Sequence, residues 1–176
     1  NEGNYKNIKQ FLHQQQHVID RQIEDLIRSK RSIVRTLENY RQYEALPKDG
    51  QMFIEYIPQR FIYRYTSEKD FFDQDYTGYE YMLRELKMHL ACNDLAMSYF
   101  CNVGTIMPQE NLLNDHFSAH DVFLIVDPED DMIQSETIPA AMYYCTCSDD
   151  FYAEKANARR LMEQIRNSGF QVCGDY

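Results

Sequence analysis

An apolar stripe at helical spacing runs from about Tyr5 to Glu44, and no glycine or proline falls between Asn4 and Pro47 to end it. Ile8, Leu12, Gln15, Ile19, Ile23, Leu26, Lys30, Ile33, Leu37 and Tyr40 follow at steps of three and four, with one extra step of four between Ile19 and Ile23. That spacing keeps one face of an α-helix apolar along its whole length. Roughly 40 residues rising about 1.5 Å each make a rod of about 60 Å, longer than one small core requires. A lone helix has nothing to bury such a seam against. Residues 1–46 are therefore read as a dimerisation helix with Ile19, Ile23, Leu26, Ile33 and Leu37 as the central contacts. The extra step of four locally unwinds a left-handed supercoil, and Gln15 and Lys30 are polar seam positions of the kind that set register and partner number. The alternative is a helix folded back on its own domain.

Residues 47–176 carry the opposite charge. The first 46 residues hold eight Lys/Arg and six Asp/Glu, whereas the rest hold ten and twenty-two, a net of −12. Such a body repels phosphate backbones, and the helix's net +2 is spread over a solvated face, so this chain alone is not expected to grip DNA or RNA. The same field favours cationic ligands. Length and uniform composition argue for one globular domain over residues 47–176. No apolar run approaches the roughly 18 residues needed to span a bilayer. Residues 1–30 lack the apolar core of a secretion signal, and the expectation is a cytoplasmic chain without a membrane partner. Cys92, Cys101, Cys145, Cys147 and Cys173 are odd in number. All but Cys92 lie in or beside strand-like segments, which favours reduced, buried thiols over a disulfide framework.

The body alternates strand and helix patterns. Met52 to Thr66 is β-rich, with a bulge or bend expected at Pro58 and Gln59, after which Phe61, Tyr63 and Tyr65 share one face. Thr77-Gly78 precedes a helix with Tyr79, Met82, Leu83, Leu86 and Leu90 on one side, ending near Asn93. Met97 to Thr105 and His120 to Val126 read as strands joined by a polar loop containing Pro108, Asn111, Asn114 and Asp115. The order then restarts. Thr137 to Cys147 is a strand opened by Pro139, Ser148-Asp149-Asp150 is an N-cap cluster, and Ala158, Leu161, Met162 and Ile165 mark a helix stopped at Gly169. Phe170 to Cys173 begins another strand whose partner is missing. The expected class is α+β: a long N-terminal helix, then two β-α-β-β repeats forming a curved antiparallel sheet with helices on one face, lacking its last strand.

Three segments carry a resemblance: Ile57-Pro58-Gln59-Arg60-Phe61-Ile62-Tyr63, Ile138-Pro139-Ala140-Ala141-Met142-Tyr143, and Gly169-Phe170-Gln171-Val172-Cys173-Gly174-Asp175-Tyr176. They resemble the GyrI-like effector-binding domain. With the long helix in front, the chain resembles the C-terminal part of a MerR-family transcription regulator of the multidrug-sensing type. The resemblance implies a homodimer joined through paired antiparallel helices, a small organic effector, and DNA contact only through a helix-turn-helix domain that this chain does not contain. It implies an excised fragment. It also implies an aromatic pocket between the two repeats, with Tyr79 and Phe61 at matching positions and a buried glutamate expected beyond Asp175, where this sequence has ended.

Around those two residues, Tyr63 and Tyr65 share the face of Phe61, and Tyr143, Phe151 and Tyr152 sit where the second repeat approaches the groove. Aromatic faces attract flat cations through the ring quadrupole. Core packing is the competing role for each of them. No cofactor is expected. Cys145 and Cys147 lie on one strand face and His116 and His120 are four apart, but no second cysteine pair completes a zinc spacing. Glu80 with Glu85, or Asp149 with Asp150, are accounted for by helix faces and caps rather than by acid–base chemistry. The expected function is therefore a non-enzymatic, ligand-sensing and dimerising part of a transcription regulator. The alternatives are a stand-alone hydrolase of the same fold, a coiled-coil interaction protein without ligand, and a gyrase-inhibitory module.

Overall fold

The computed structural model describes residues 2–47, 50–93, 95, 102–127 and 134–176. Its class is α+β, with a long N-terminal helix and antiparallel sheets. Helix α1 spans Glu2–Ala45 without a kink-forming residue. All eight apolar seam residues from Ile8 to Tyr40 are 48% to 69% exposed. The polar side of the rod is the one that docks. Ser32 is buried, Arg35 pairs with Asp127, Asn39 Nδ2 donates to Asn102 Oδ1 at 2.6 Å, and the Tyr43 hydroxyl donates to Asp149. The rod thus touches the body through polar contacts from another face, and the seam is left open.

Two broken strands organise the body. Strands β1 (Met52–Ile57) and β2 (Arg60–Thr66) are separated at Pro58-Gln59, and β5 (Glu136–Ile138) and β6 (Ala141–Thr146) at Pro139-Ala140. Proline cannot donate to a ladder, so each break falls where the sequence demands it. The breaks lie opposite each other: Ile57 pairs with Ala141 and Arg60 with Ile138, so one antiparallel register continues through both. The ladder is nonetheless divided into a two-stranded sheet, β1-β6, and a four-stranded sheet ordered β3-β4-β2-β5, with β3 at Val103–Ile106 and β4 at Asp121–Val126. A single curved sheet is not what forms, because the prolines interrupt hydrogen bonding in both partners at the same level.

The helices bury the faces that their spacing marks out. Helix α2 (Tyr76–Cys92) is capped by Asp75, which accepts from the Gly78 N–H at 2.8 Å. It lays Met82, Leu86 and Leu90 on Val122, Leu124 and Val126 of β4. The polar loop contains a short helix, α3 (Gln109–Leu113), because buried Leu112 draws it into the second core. There Ala158, Leu161, Met162 and Ile165 of α4 (Glu154–Asn167) meet Met107, Phe117 and Ala119. Helix α4 stops where Gly169 takes φ +74°, with the Phe170 N–H on the Ile165 carbonyl and the Gly169 N–H on the Arg166 carbonyl.

Three expectations need correction or restriction. Phe170 to Cys173 does not form a strand: Gln109 Nε2 caps the Val172 carbonyl at 2.6 Å, and pairing comes only at Tyr176, whose backbone exchanges both hydrogen bonds with Met107. None of the four described cysteines is buried. Cys92 and Cys173 are exposed, and Cys145 and Cys147 are half-buried. The start of the Met97 to Thr105 strand, with Cys101, lies outside the described residues. Among the described residues, no helix is long and apolar enough to cross a membrane.

Candidate ligand site

Both halves of the body turn from strand to helix in the same way. Asp70 accepts from the Phe72 N–H at 3.0 Å and caps a three-ten turn at Phe71–Asp73; Asp150 accepts from the Tyr152 N–H at 2.9 Å and caps one at Phe151–Ala153. These caps bring the first rings of the two turns together. Phe71 meets Phe151 at 5.4 Å, and Tyr79 meets both, at 5.4 Å from Phe71 and 5.6 Å from Phe151. Phe71, Tyr79 and Phe151 are half-buried, while Tyr76 and Tyr152 stand exposed at the rim, each in ring contact with Phe151. Burial, then the Tyr76 hydroxyl, push the Tyr79 phenol above its ordinary range, so it remains a neutral donor. Such a cluster offers ring faces and one hydroxyl to a flat apolar ligand.

Three of the seven expected site residues, Tyr79, Phe151 and Tyr152, therefore share one cluster. The other four do not join it. Tyr63 and Tyr65 pack against α2 around His89, with the Tyr63 hydroxyl 2.6 Å from His89 Nε2 and the Tyr65 ring 4.9 Å from the imidazole. Phe61 packs on the α2–β4 core and borders a separate cleft at the strand break. Tyr143 donates its hydroxyl to the Pro139 carbonyl at 2.8 Å. Alternation along β2 correctly grouped Phe61, Tyr63 and Tyr65 but could not indicate that α2 would cover them.

Phe71 and Tyr76 are the members that motif reading missed. A signal was present, since Asp70-Phe71-Phe72 and Asp150-Phe151-Tyr152 repeat one Asp-Phe-aromatic pattern in each half. Glu154, which opens α4 just after the second turn, accepts from the Tyr176 hydroxyl at 2.5 Å. Burial first, and that carboxylate second, raise the Tyr176 phenol far beyond its ordinary range. Among the described residues, no three His, Cys, Asp or Glu side chains converge on a metal position. No protein-family model and no curated protein matches this chain.

Proposed function

We propose that this chain is the ligand-sensing and dimerising part of a transcription regulator, similar to MerR-family proteins that carry a GyrI-like effector-binding domain. The observation that carries this reading is the half-buried cluster of Phe71, Tyr79 and Phe151, built from both halves of the body and rimmed by exposed Tyr76 and Tyr152. A ligand wedged there touches both halves at once, which lets binding alter how they sit. The effector is a small aromatic molecule, and the body's net charge of −12 favours a cationic one. The open seam of α1 supports the second task, pairing with another copy. The role is binding rather than catalysis, and it is carried out in the cytoplasm. Titrating the chain with a hydrophobic aromatic cation tests the reading: saturable quenching of tyrosine emission, reduced in Phe151→Ala, is expected. Quenching that never saturates, or that is indifferent to Phe151, would refute it.

A further inference from the structure

Where α1 crosses the break between β1 and β2, a cleft of about 550 Å³ opens, a size typical of small-molecule sites. Asn39 and Tyr43 of the rod form one wall, and Glu55, Tyr56, Arg60 and Phe61 of the body form the other. Two opposite charges line this cleft without pairing. Arg60 and Glu55 are half-buried, and neither has an ion pair or side-chain hydrogen bond among the described residues. Arg35, also on the wall, is different, because Asp127 holds it. Partly burying a charge without a partner costs free energy that a ligand of opposite charge recovers. The field of Arg60 reaches its surroundings: against the dominant effect of burial, it favours the ionised forms of the Tyr143 phenol and the Cys145 thiol. Tyr56, 60% exposed, also lines the cleft.

We propose that this cleft binds a small zwitterion bearing a planar apolar group, of the free aromatic amino acid class, with its ammonium on Glu55, its carboxylate on Arg60 and its ring against Tyr56. A ligand with one charge leaves either Glu55 or Arg60 without a partner, and an uncharged one leaves both. The site is separate from the Phe71–Tyr79–Phe151 cluster and does not depend on the sensor reading. Because its walls come from rod and body together, occupation ties one to the other.

The chain contains no Trp, so L-tryptophan serves directly as a fluorescent probe read by anisotropy. A saturable rise is expected. Tryptamine and indole acetate should each bind about tenfold more weakly, since hydrogen bonds to charged groups are typically worth a factor of ten or more. Arg60→Gln and Glu55→Gln should each weaken L-tryptophan by about tenfold. Tyr56→Ala, at an exposed position, should weaken binding while leaving the melting curve in place, so the test survives if a charge variant fails to fold. Tyr79→Ala should change nothing. The proposal is overturned by an anisotropy that does not saturate, by equal binding of the singly charged analogues, or by loss of binding in Tyr79→Ala but not in Arg60→Gln.

Discussion

Phe71 and Phe151 face each other edge to face, 5.4 Å apart at an interplanar angle of 76°, and each opens a three-ten turn capped by the aspartate before it. The two halves of the body are therefore joined at corresponding positions. Edge-to-face pairs gain from the ring quadrupole beyond the area they bury, and that gain requires both rings.

Phe71→Ala and Phe151→Ala are each expected to lower stability by about 2 kcal/mol, less than a fully buried Phe→Ala because both rings are half-exposed. A double-mutant cycle measured by urea unfolding should return a coupling of about 1 kcal/mol. Additive losses would mean the rings touch without supporting one another.

Asp70 gives the fold an acid limb. Burial pulls its carboxyl upward, but the hydrogen bonds from the Ala119 N–H, the Ser118 side chain and the Phe72 N–H, together with the field of His120, outweigh burial and hold it below the ordinary carboxylate range. A lowered folded-state pKa adds stability that is complete above the unfolded value of about 4 and is lost as pH falls through the folded one. Asp70→Asn should flatten this acid limb in melting temperatures measured across that window. An unchanged slope would place the acid sensitivity elsewhere.

The open seam makes a prediction about mass. Replacing Ile23 and Leu26 together by glutamate should turn a dimer into a monomer in sedimentation equilibrium, because two charges cannot be buried in a paired seam. The far-ultraviolet dichroism of the body should persist. A dimer mass that survives would assign the interface to the body.

How much of this was legible in the sequence depended on range. The seam of α1, the buried faces of α2 and α4, the proline breaks and the stop at Gly169 are local signals, and each was readable from spacing or from a single residue type. Long-range pairing was not. Nothing in Pro58 or Pro139 alone says that the two breaks will lie opposite each other, and nothing in Tyr63 or Tyr65 says that His89 will cover them. Buried Leu112 turns a polar loop into a helix, and nothing within Phe170 to Cys173 says that the Val172 carbonyl will be taken by the Gln109 side chain rather than by a neighbouring strand.

Two glycines should respond differently to alanine. At Gly169 a Cβ meets nothing within 4 Å, and the cost is backbone strain at φ +74°, about 1 kcal/mol. At Gly104 the Cβ would fall 2.4 Å from the Phe123 ring, so that ring must move, at about 1–3 kcal/mol. Denaturant melts should therefore rank Gly104→Ala as the less stable variant; the reverse order would show that Phe123 yields freely.

The central claim is that the aromatic cluster between the two halves receives a ligand. Its most direct test is the melting temperature of the chain titrated with a planar hydrophobic cation, with Tyr79→Ala and Tyr5→Ala measured alongside. A ligand that binds only the folded chain raises the midpoint in proportion to its affinity. The account expects a rise in the unaltered chain, the same rise in Tyr5→Ala at the start of the rod, and a response weakened in Tyr79→Ala by about 1 kcal/mol of binding, roughly fivefold. Cationic, neutral and anionic aromatics that all leave the midpoint unmoved, or an equal loss of response in both variants, would contradict it.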